Sequence, residues 1–320
     1  MRDGEASVNA PQTEQLLLWP HGYLAIAAAA LAILAAPLAA YLLLIALFGL
    51  PHVLCELRYC DERFSARAGR PVLVLLGMLL GCLALIRIAQ SLALLPNMPA
   101  VHAELLIGAA LALGAAASMR KRRLFGAAIG LAIATGAALA PIPTFLATAW
   151  LHNLTPLAFA AEILPPKERV PVLARLAVPF LLLPALIASG LPHQFIAPAR
   201  ESLFAAGAAP LAAFLPRSVP FAEAMPLFAA AVTAQSMHYF AVIVVLPRLL
   251  SAYGGSAPLI AWPRWPRFYA LIASAAVLTF AFYAASYPEA RSAYGLLAAL
   301  HSWIELPIFL IAFGGGFRAR

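Results

Sequence analysis

The chain has 320 residues, of which 64% are hydrophobic and 11% charged, with a formal net charge of +8. Soluble domains carry about 25% charged residues, so this composition cannot cover a globule for water. Its basic residues lie in short clusters between apolar runs, which reads as membrane orientation and excludes a nucleic-acid partner.

Repeated continuous apolar runs near span length predict an all-α, polytopic transmembrane bundle of nine or ten spans. Residues 1–18 read as a polar leader, with no cleavable signal peptide, and 19–313 as one integral-membrane domain. Residues 22–60 are too long for one ordinary crossing. They either cross twice with a bend near Pro37, or cross once and continue as an amphipathic helix. Further spans are expected at 71–95, 103–119, 124–140, 144–163 and 171–190. Residues 203–215, short and flanked by prolines, read as a re-entrant or interfacial piece. The last spans are expected at 222–247, 268–286 and 293–313, before a tail at 314–320.

Basic clusters at 58–70, 120–123, 167–175, 248–267 and 318–320 place those segments and the C-terminus in the cytoplasm of a bacterial-type inner (plasma) membrane. The N-terminus is outside if 22–60 cross once and inside if they cross twice. Trp262 and Trp265 read as interfacial anchors. Cys55, Cys60 and Cys82 have neither metal-knuckle spacing nor the number for a disulfide framework.

Four polar islands interrupt the apolar runs. His52 precedes Glu56 by four residues, one helical turn, after Pro51. Glu56 could instead pair with Arg58 or Arg63. His152 stands with Asn153, Thr155 and Pro156, which frees a backbone carbonyl. His238 follows Gln235, which shares its helix face and could hold an imidazole N–H or a bound water, and precedes Tyr239. His301 precedes Glu305 by the same four residues, ahead of Pro307. A glutamate at mid-span is costly unless paired, protonated or bound to a cation. His193, in another Pro-His pair, is a reserve ligand, while His21 and His102 read as interfacial.

Neutral imidazole is the least costly strong metal ligand to bury. The metal ligands expected are His52, Glu56, His152, His238, His301, Glu305 and His193. Glu305, Gln235 and Tyr239 are the expected catalytic groups. Mixed imidazole and carboxylate ligands favour non-haem iron, as one or two ions, with copper, zinc or haem as alternatives. A metal inside lipid points to an oxidoreductase acting on a hydrophobic small molecule, a lipid or isoprenoid, with an electron donor as further partner. Haem-based electron transfer and proton- or ion-coupled transport by buried His/Glu pairs are the other functional readings, and structural polar glue between helices is the remaining one.

The segment Leu47-Phe-Gly-Leu-Pro-His52 resembles the opening of the bacterial Brp/Blh-type membrane carotene dioxygenases. That resemblance implies histidine-bound iron and oxidative cleavage of a carotenoid, with His52 matching the family's first histidine. The family's following Gly-Ala-x-Asp is replaced here by Val53-Leu-Cys-Glu56, and Glu56 is not at the family aspartate's offset.

Overall fold

A computed structural model describes residues 21–119, 121–199, 201–215 and 219–314. The expected leader and tail therefore lie outside the described residues, apart from Gly314. The chain is an all-α bundle. Helices α1 (His21–Ala35) and α2 (Pro37–Cys60) are separated at Ala36, and Pro37 opens the second. A π-helical turn, Asp61–Ser65, leads into α3 (Ala66–Ser91). Then follow α4 (Asn97–Ser118), α5 (Arg123–Leu139), α6 (Pro141–His152) and α7 (Thr155–Ile163). Helix α8 (Pro166–Ala177) passes through a π-turn, Val178–Leu182, into α9 (Leu183–Ala188). Helix α10 (Phe221–Phe240) passes through another, Ala241–Val245, into α11 (Leu246–Tyr253). Helices α12 (Trp265–Ala285) and α13 (Tyr287–Phe313) complete the bundle.

Prolines at the first or second position open many of these helices, including α2, α6, α7, α8, α12 and α13. The missing N–H costs little there, because first-turn amides have no intrahelical acceptor.

Seven described helical stretches are long and apolar enough to cross a membrane: Pro37–Ser65, Val72–Ser91, Asn97–Ser118, Pro166–Ala188, Glu223–Tyr253, Trp265–Ala285 and Tyr287–Phe313. By that measure the count falls below the nine or ten expected. The shortfall has local causes. Helices α1 and α5 are apolar but shorter, and the expected span at 144–163 is divided between α6 and α7. Pro156 has no N–H to give the His152 carbonyl, and the Thr155 hydroxyl lies 2.8 Å from that oxygen instead. Residues 203–215, which are not among the expected spans, form turns and a short 3₁₀ segment, Ala209–Ala213. Phe214 and Leu215 pack into the apolar cluster around Tyr41 and Phe228.

Helix α2 lies centrally, packed against α10, α12 and α13. Small residues line the most extensive contact, between α4 and α5, and let the backbones approach closely. One apolar cluster surrounds Tyr41, Ile45 and Phe228; another surrounds Tyr59, Phe159 and Val242. His52 lies between Ala46 and Cys55 in sequence, and His238 between Val232 and Val242. The polar islands therefore fall between two dry layers.

Candidate metal centre

The four islands meet. Ligand atoms of His52, His152, His238 and His301 lie within 4.8 Å of one another, and a second such group comprises Glu56, His238, His301 and Glu305. Five of these six side chains are almost fully buried, and His152 is the partly exposed one. The residues present can therefore coordinate a metal ion. Helix α2 supplies His52 and Glu56, and α13 supplies His301 and Glu305, each pair one turn apart on a shared face. His238 comes from the last turn of α10, immediately before its π-turn. His152 ends α6, at the proline-enforced break.

The hydrogen bonds give the rings direction. His52 Nδ1 lies 3.1 Å from the Phe48 carbonyl, and His301 Nδ1 lies 3.2 Å from the Leu297 carbonyl. A carbonyl can only accept, so each Nδ1 carries the proton and each neutral ring turns a bare Nε2 inward. Those two Nε2 atoms are 3.0 Å apart, and His301 Nε2 is 3.1 Å from His152 Nε2. Lone pairs facing at such distances repel unless a cation stands among them. With metal–nitrogen bonds of about 2.1 Å, adjacent ligands lie about 3.0 Å apart in an octahedron and about 3.4 Å in a tetrahedron. The observed spacings fit a shared cation.

The carboxylates border this group. His152 Nδ1 is 2.8 Å from Glu305 Oε2, close enough for Glu305 to favour the Nδ1-protonated ring, although the contact is not aligned as a hydrogen bond. Thr155 Oγ1 donates to the same Glu305 oxygen at 2.5 Å. His238 Nε2 is 3.4 Å from Glu56 Oε2, and neither nitrogen of His238 has a hydrogen-bond partner. Both Glu56 oxygens and Glu305 Oε1 are also buried without hydrogen bonds. Buried polar atoms are nearly always paired, so this concentration marks a place where ligand bonds are missing. The surface alternatives for Glu56 are taken elsewhere: Arg58 pairs with Glu62 at 2.6 Å and Arg63 with Glu162 at 2.8 Å.

Comparison with protein-family models, curated proteins and solved structures gave no match. The site's chemistry rests on its own geometry.

Tyr239 stacks on His52, ring centroids 4.0 Å apart and planes 24° from parallel. Gln235 donates from Nε2 to the Tyr239 oxygen at 2.7 Å rather than holding an imidazole. The Tyr239 hydroxyl also meets that of Tyr294 at 2.7 Å. Tyr294 lies against α2 at Gly49, where a Cβ would come within 2.7 Å of its ring, so the glycine makes room. His193 is on a 3₁₀ turn, Leu191–Gln194, and belongs to neither ligand group. There, burial holds its imidazole below the usual pKa.

Sequence reasoning gave Glu104 no role, although it falls at the start of the span expected at 103–119. Helix α4 begins earlier, at Asn97, and carries Glu104 into the interior. Its carboxylate accepts from Trp303 Nε1 at 2.8 Å and pairs with Arg87 at 2.7 Å. Trp303 lies between His301 and Glu305 in α13, so this anchor fixes the helix that carries both ligands. The available signal was a lone glutamate followed by an unbroken apolar run.

Proposed function

We propose that the chain is a membrane-embedded metalloenzyme, a non-haem iron oxidoreductase acting on a lipid or isoprenoid. The observation that carries this reading is the convergence of the Nε2 atoms of His52, His301 and His152 at 3.0 and 3.1 Å, bordered by Glu56 and Glu305. His52, His152, His238 and His301 would hold the first ion. Glu56 and Glu305 would complete its shell or hold a second ion beside it. Carboxylates added to imidazoles favour iron over copper.

Bound iron would supply the redox chemistry. The chain's residues hold and orient the ligands and exclude water, because apolar layers lie above and below. Tyr239 fixes the plane of His52. Glu305 and Thr155 fix the broken end of α6. An apolar cleft lined by Tyr23, Phe180, Met237 and Phe240, next in sequence to His238, has only about 20 Å³ of free volume. A lipid chain entering by that cleft would need its side chains to part. Iron bound by membrane histidines also accords with the carotene-dioxygenase resemblance at Gly49-Leu50-Pro51-His52, which makes a carotenoid-like polyene a substrate to test first.

The spacing weighs against haem. Axial imidazoles stand on opposite faces of a flat macrocycle, whereas these nitrogens share a space too small to admit one. Transport keeps one favouring observation, the two fully buried carboxyls of Glu56 and Glu305 at one depth.

The test is elemental analysis with an optical spectrum on protein purified without chelator or histidine tag. About one or two iron atoms per chain are expected, without a Soret band. Well-folded, metal-free protein would sink the reading. Ion-driven uptake into vesicles that is lost in Glu305→Gln would replace it with transport.

A further inference from the structure

A second polar site lies apart from the histidines, where the end of α3 meets the start of α13. A cleft of about 350 Å³ is lined by Arg87, Gln90, Ser91, Arg291, Ser292 and Gly295, among others. That volume is at the small end of ligand pockets, which begin near about 300 Å³. Arg87 is already engaged, at 2.7 Å from Glu104 Oε2 and 3.3 Å from Gln90 Oε1, and its buried Nε has no hydrogen-bond partner among the described residues. Arg291 is different. Its guanidinium stands 5.9 Å from the Tyr294 ring, and among the described residues no carboxylate is within ion-pair distance. Two guanidiniums face one carboxylate, so the cleft keeps one positive charge without a counter-ion.

A single uncompensated guanidinium at a membrane-helix end suits an anion of one charge. Its fork of donors matches the two free oxygens of a phosphodiester. The surroundings specify the source. Tyr283 and Tyr294 are buried in the core around Tyr41, while half-buried Tyr287, 6.2 Å from Tyr283 at the start of α13, stands where aromatics meet headgroups. On α3, Leu85 and Ile88 are exposed at 68% and 41% on the helix face next to the one that carries Arg87, an apolar surface for the acyl chains of a lipid held at the cleft.

We infer that the cleft between Arg87 and Arg291 is a binding site for the phosphodiester headgroup of an anionic membrane lipid. The site does not depend on the metal centre. It gives the extracytoplasmic edge expected for α3 and α13 a specific lipid contact.

The experiment uses the full chain in phosphatidylcholine nanodiscs with increasing phosphatidylglycerol, and counts retained lipids by native mass spectrometry. The wild-type protein should keep phosphatidylglycerol about tenfold better than phosphatidylcholine, equivalent to about 1.4 kcal/mol. Arg291→Gln should remove that preference, Arg291→Lys should keep part of it, and Arg123→Gln, away from the cleft, should leave it intact. Equal retention of both lipids by the wild-type protein overturns the proposal, whether or not Arg291→Gln folds. So does a preference unchanged in Arg291→Gln. Displacement of the lipid by millimolar inorganic phosphate would assign the cleft to a soluble anion instead.

Discussion

Two polar regions of this apolar chain invite comparison. One is the clamp after α2; the other is the histidine centre. In the clamp, the Asp61 carboxylate accepts from Leu259 N, Ile260 N and Trp262 Nε1 at 2.8, 2.9 and 2.9 Å. Arg58 bonds Glu62 and the Pro263 carbonyl, and lies 3.8 Å over the Trp265 ring. Every strong group there has a partner within the protein. One turn deeper, Glu56 and His238 approach each other only to 3.4 Å and make no conventional hydrogen bond among the described residues. The chain can satisfy buried charge when that charge is structural. Atoms so poorly matched beside a saturated network are what a bound cation would satisfy.

The contrast can be broken by mutation. The largest effect should come at the centre. His301→Ala removes the ring whose Nε2 touches both His52 and His152, and should abolish tight metal binding by elemental analysis while a folded monodisperse protein remains. Metal retained by His301→Ala would place the ion elsewhere. His238→Ala should also lose metal, and Glu305→Gln should weaken it about 10–100-fold, as loss of an orienting carboxylate does. Asp61→Ala should do the reverse. It should cost about 3 kcal/mol of stability through three charge-assisted bonds, read as a lower detergent-melting midpoint, and leave metal content unchanged. Gly108→Ala should cost about 1–3 kcal/mol, because a Cβ would strike the Trp303 ring at 2.0 Å. A metal spectrum shifted by this variant would show that the Trp303 anchor tunes the site. Tyr239→Phe, the mildest change, keeps the stack on His52 and removes two hydrogen bonds, for about 1 kcal/mol.

The islands were legible because each ionisable residue stood alone in an apolar run, where its cost is visible without coordinates. Their convergence was not. His52 and His301 meet across 249 positions, and no local pattern encodes such a contact. Gln235 shows a subtler limit. Helical spacing placed it one turn from both His238 and Tyr239, and only side-chain direction reveals that it serves Tyr239. Pro156 announced a free carbonyl, yet the division of the expected span into α6 and α7 depends on Thr155 reaching that carbonyl and Glu305 together. Glu104 and Arg291 were missed for the opposite reason: charge near a helix end resembles an ordinary interfacial residue until its neighbours are known.

The wide separation of His52 and His301 also governs how the protein is made. Helix α2 is synthesised well before α13, so Glu56 must wait in the bilayer, without its final surroundings, while the intervening helices are inserted. The ligand set cannot close until the last helix arrives. Any metal the centre takes up would therefore load only after α13 is inserted, and a chain truncated before α13 would leave an unfinished acidic helix for quality-control proteases to recognise.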